Sequence, residues 1–65
     1  MTLEEGMYVL FEVWEKKDPN YSNSPLFGKI NDAFIRDFQE DMGKREVKSL
    51  AKETINWHIE LSKEE

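Results

Sequence analysis

A chain of 65 residues with 14 Asp and Glu against 9 Lys and Arg carries a net charge of −5, and it contains no cysteine. That composition excludes disulfides and thiolate metal sites, and it argues against free DNA or RNA as a general ligand, because phosphate recognition needs a basic face. The length allows one domain, residues 1–65, near the lower limit for a self-sufficient core, since so small a domain buries only about 60% of its unfolded surface.

The first element opens on Thr2-Leu3-Glu4-Glu5, a capping box with Thr2 as N-cap and Glu5 at the third helical position. Leu3, Met7, Leu10, Phe11 and Trp14 then recur at helical spacing, which predicts a helix over residues 3–16. The run MYVLFEVW is rich in β-formers, but Met7 to Phe11 is unbroken apolar rather than alternating, so a strand fits less well. Gly6 costs the helix about 1 kcal/mol relative to Ala. Val9 and Val13 widen the apolar face and imply more than one neighbour.

Residues 17–24 read as a loop, with Asp18-Pro19-Asn20 supplying turn chemistry and Tyr21 expected at the surface. A second helix is predicted over residues 25–42. It can start at Ser24-Pro25, an N-cap followed by proline, or at Asn31, with Ile30 and Ile35 as a hydrophobic staple. Either start places Phe27, Ile30, Phe34 and Phe38 on one face.

Helical pattern lies on both sides of Gly43. Carried forward at about 100° per residue, the Phe34/Phe38 face lands on Arg45, Lys48 and Lys52, all charged. The next apolar face is Val47, Leu50, Thr54, Trp57 and Leu61, with Val47 roughly 140° from Phe34. One straight helix would aim the two faces apart, so a break at Gly43 is expected, with the glycine as a left-handed C-cap. A third helix follows over residues 45–62. The fold expectation is an all-α, small three-helix domain with Phe34, Phe38, Leu50, Trp14 and Trp57 in its core.

His58 is the sole histidine and falls near the middle of the third apolar face, where a partly buried, hydrogen-bonded ring is expected. No nucleophile or carboxylate is spaced to work with it, and no metal site or cofactor motif can be assembled, so the chain reads as a non-enzyme. Asp37, Glu40 and Asp41 precede Gly43, and Lys44, Arg45, Lys48 and Lys52 follow it. These charges either pair across the turn or leave Arg45, Lys48 and Lys52 as a docking strip for an acidic partner. A helix-turn-helix would want a small residue four before the glycine and an apolar one six after it, where this chain has Gln39 and Ser49.

Val9, Val13, Ile55 and Ile59 exceed the one stripe that each short helix buries, which points to self-association as a homodimer or to a hetero-partner. No apolar run approaches the roughly 18 residues of a membrane span, and the acidic MTLEEG start lacks the basic region of a signal peptide, so a cytoplasmic protein is expected. The functional expectation is a non-enzymatic protein–protein interaction module: a small adaptor, inhibitor or accessory protein. Its candidate contacts are Arg45, Lys48, Lys52, Ile59, Val9, Val13 and Tyr21. The alternative is a small DNA-associated regulator acting as a dimer through the basic edge of the third helix.

Overall fold

Thr2 begins the structure as its sequence suggests. In the computed structural model, which describes residues 1–63, helix α1 (Leu3–Lys17) is capped at both ends. The Thr2 hydroxyl accepts from the Glu5 amide at 3.3 Å, and the Thr2 amide donates to Glu5 Oε1 at 3.0 Å. These two bonds satisfy amides that a helix start otherwise leaves without partners. The Thr2 amide, then the Thr2 hydroxyl, hold the Glu5 carboxyl below its ordinary value of 4.5. At the other end the Asp18 amide donates to the Trp14 carbonyl at 2.7 Å, and the Asp18 carboxylate accepts from the Asn20 amide at 3.0 Å.

The 18–26 connection is not the loose polar loop its composition suggests. A short 3-10 turn (Tyr21–Asn23) swings Tyr21 inward, where it is half-buried against Phe11, Trp14 and Phe27 at ring-centroid distances of 5.8, 5.4 and 6.3 Å. The expected exposure of Tyr21 is therefore corrected. Stacked aromatic area outweighs the hydrophilic neighbours, since each such pair adds about 0.5–1.5 kcal/mol beyond burial.

Helix α2 (Phe27–Asp37) starts between the two positions the sequence allows. Ser24 organises the approach: its hydroxyl accepts from the Leu26 amide and its carbonyl from the Phe27 amide, both at 3.1 Å. The helix stops at Asp37, before the expected residue 42, because Phe38 turns extended at φ −70°, ψ 139°. Its ring lies over Gly6, where it replaces a side chain that α1 lacks, and 5.8 Å from Phe34. Residues 38–43 are then a loop, tied by Met42 amide to Gln39 carbonyl at 3.2 Å. The Met1 amino group donates to the Met42 and Glu40 carbonyls at 3.0 and 3.2 Å.

The helix is thus broken before α3 (Lys44–Lys63), as the opposed faces require, but the chemistry of the break differs. No described glycine has a positive φ. Gly43 is the N-cap of α3, its carbonyl accepting from the Val47 amide at 3.0 Å, a position glycine occupies readily.

One hydrophobic cluster joins the three helices, with no strand among the described residues. Trp14, Phe34, Leu10, Ile30, Ile55 and Val47 are its fully buried large side chains. α1 and α3 pack most extensively, with α2 across α3. The α3 seam is Val47, Ala51, Thr54 and Ile55, rotated by roughly 70° from the expected face. Trp57 is 56% exposed and Leu61 44%, so Trp57 is a correction to the expected core. Phe38 and Leu50 are half-buried at the core edge. Ala51, fully buried at the seam, takes a core position that the expected face does not include.

Candidate functional site

The flank of α1 bearing Val9 and Val13 faces the flank of α3 bearing Ile55. Val9 is only 5% exposed and Ile55 1%. Both belong to the core, which corrects the placement of Val9 among surface contacts and Ile55 within an apolar surplus. Val13 and Ile59 are half-buried against the same cluster.

Above this seam the two helices leave a groove of about 400 Å³. Half-buried Val13 is its accessible apolar floor, with Ile55 buried beneath, and Lys16 and Lys17 from the last turn of α1 face Lys48 and Lys52 from α3. Helical spacing creates each wall. Lys48 and Lys52 are four residues apart, hence on one face and roughly 6 Å apart along the axis. Lys16 and Lys17 follow Val13 by three and four residues, so both lean over it. Glu12 and Asn56 complete the lining.

The electrostatics are unusual for an acidic chain. Four lysines and one glutamate line the groove, a local balance of +3 on a protein of net charge −5. Among the described residues the one ion pair is Arg36 with Asp37, 3.3 Å and well exposed, so no groove lysine has a carboxylate at ion-pair distance. The Lys17 ammonium donates to the Asn56 side-chain oxygen across the groove end, a neutral partner that leaves the charge uncancelled. The expected pairing of Lys44, Arg45, Lys48 and Lys52 with Asp37, Glu40 and Asp41 across the Gly43 turn is likewise not formed.

Of the residues the sequence singles out, Lys48, Lys52 and Val13 meet in this groove. Arg45 is exposed in the first turn of α3 and outside the lining; Ile59 and Tyr21 pack on the core. Nothing in the sequence singles out Lys16 and Lys17. Their only local signal is a pair of bases ending a helix, favourable to its dipole and blind to what lies across from them.

Compared with known protein families, curated proteins and solved structures, this chain matches none.

Two shallower clefts flank Trp57 on the α2 side of α3. His58 lines one of them with Lys29, Asp32 and Arg36. Its ring meets Trp57 edge-on at 4.9 Å, and its buried Nε2 has no hydrogen-bond partner, contrary to the satisfied histidine expected. Among the described residues no group of three or more His, Asp or Glu is placed to hold a metal ion, and no helix is long and apolar enough to cross a membrane. The α1/α3 groove thus sets four lysines around a concave, partly apolar surface, and ammonium groups are donors to anions.

Proposed function

We propose that this protein is a non-enzymatic protein–protein interaction module, an adaptor, inhibitor or accessory protein, that docks its partner in the groove between α1 and α3. The observation that carries the reading is the grouping of Lys16, Lys17, Lys48 and Lys52 around half-buried Val13, with none of the four paired to a carboxylate among the described residues. Charges left unpaired beside apolar surface fit recognition better than stability, because exposed intramolecular pairs contribute only about 0–1 kcal/mol whereas complementary charge across an interface sets partner choice and on-rate.

The test is affinity capture from nuclease-treated lysate of the native host, with the intact chain and with Lys48→Glu/Lys52→Glu. A protein recovered by the first and lost with the second supports the reading. Equal recovery by both places the contact elsewhere, and nuclease-sensitive nucleic acid as the recovered species favours a DNA-associated regulator instead.

A second reading, self-association as a homodimer, draws on a different surface. Trp57 and Leu61 stand one turn apart on α3 and are 56% and 44% exposed. A two-fold contact through them would bury an aromatic and an aliphatic anchor from each copy. Sedimentation equilibrium separates the cases: a mass of 7.8 kDa at every concentration rules the homodimer out.

A further inference from the structure

The geometry points to a specific occupant for the α1/α3 groove: a short acidic segment of a partner protein, with one apolar side chain seated on Val13 and carboxylates held between the lysine walls. This rests on the docking role proposed above and names the chemistry of the partner.

Three features select that occupant. The first is charge. Four lysines and one glutamate line the groove, and the Lys17 ammonium donates to the neutral Asn56 side chain at its end. The second is spacing. Lys48 and Lys52 leave α3 roughly 6 Å apart along its axis, the spacing at which carboxylate side chains leave a helix four residues apart or an extended strand two apart. The third is the floor. Val13 is half-buried, and the methylene stems of the surrounding lysines extend the apolar surface while their heads stay in water. A volume of about 400 Å³ accommodates an apolar anchor and its flanking acids rather than a folded surface.

The same features select against other anions. A nucleic acid engages several phosphates along an extended basic track, whereas this basic surface is a short concavity on a chain of net charge −5, whose remaining carboxylates repel a long polyanion. A lipid surface asks for a flat basic face beside exposed apolar side chains. Trp57 and Leu61, two of the large exposed apolar residues, stand on the opposite flank of α3.

Fluorescence anisotropy on the full chain tests this with a short labelled peptide in which two glutamate pairs flank one leucine. Its matched control has glutamine for every glutamate. The glutamate peptide should bind and the glutamine peptide should not, and binding should weaken steeply toward about 0.5 M salt, where charges are screened within a few ångströms. Lys48→Gln/Lys52→Gln and Lys16→Gln/Lys17→Gln should each lower affinity about five- to tenfold, the loss of two part-exposed charge pairs. Lys29→Gln/Lys44→Gln changes net charge equally outside the groove and should stay within about twofold. All these lysines are exposed, and circular dichroism confirms that each variant is folded.

Equal weakening by the Lys29/Lys44 control would reduce the effect to net charge and overturn the proposal. So would tighter, groove-dependent binding of oligothymidine or of phosphatidylserine vesicles, which would assign the groove to those ligands. If the peptide fails while lysate capture still depends on Lys48 and Lys52, the acidic occupant is wrong and the docking groove stands. If both are insensitive to these lysines, both readings fall.

Discussion

Gly6→Ala is expected to destabilise this protein, although alanine is the better helix former. In an unconstrained α1 the change would gain about 1 kcal/mol. Here the added methyl would lie 2.5 Å from Phe38 Cε2, 3.0 Å from Cδ2 and 3.2 Å from Cζ. Carbon atoms prefer roughly 3.5–4.0 Å, so the ring must withdraw by about 1 Å. Phe38 has little freedom to do so, because its ring also packs 5.8 Å from Phe34 and its backbone is where the chain leaves α2. Overpacking of this kind costs about 1–3 kcal/mol. The net loss is then up to about 2 kcal/mol, and a midpoint about 4–8 °C lower for each kcal/mol in a domain this size. Thermal and urea melts followed by circular dichroism read it directly. The decisive comparison uses Phe38→Ala as background. With the ring gone only propensity remains, so Gly6→Ala should now stabilise by up to about 1 kcal/mol, a reversal of sign that reports coupling between the two positions. A gain in stability from Gly6→Ala in the unmodified chain would refute the packing role assigned to Phe38.

Other substitutions probe the remaining corrections. Gly43→Asp should stabilise the fold by about 0.5–1.5 kcal/mol in urea melts, because the position is an N-cap with open space around it and no positive φ, and an acid there caps α3 and opposes its basic first turn; a loss would restore the left-handed turn. Trp14→Ala and Phe34→Ala should each cost about 3–5 kcal/mol, whereas Trp57→Ala should cost under about 1 kcal/mol, since it is 56% exposed; comparable shifts in denaturant midpoint for Trp14→Ala and Trp57→Ala would mean that α3 turns Trp57 into the core. Glu5 supplies a pH test: its carboxyl is lowered by the Thr2 amide and hydroxyl, so its contribution is full above the ordinary value of 4.5 and fades as pH falls below it. Melting temperatures of the wild type and Glu5→Gln should differ by a constant amount at higher pH and converge on acidification, and an unchanging difference down to pH 3 would exclude this linkage.

Sequence alone determined the local elements. The Thr2–Glu5 box placed the start of α1, and the mismatch between the Phe34 and Val47 faces required a break before α3, because helical periodicity converts residue spacing into direction without reference to anything outside the segment. Tertiary structure decided how those directions were used. α3 turned its Ala51/Ile55 side into the core and left Trp57 56% exposed, since a periodicity count is dominated by large residues and gives a buried alanine little weight. Phe38 left its helix to cover Gly6, which lies on another helix, and Tyr21 folded into an aromatic cluster with rings from α1 and α2; both depend on partners outside their own segment. Lys16 and Lys17 came to face Lys48 and Lys52 for the same reason. Spacing within a helix places charges on one wall of a groove, but only the packing of two helices supplies the wall opposite.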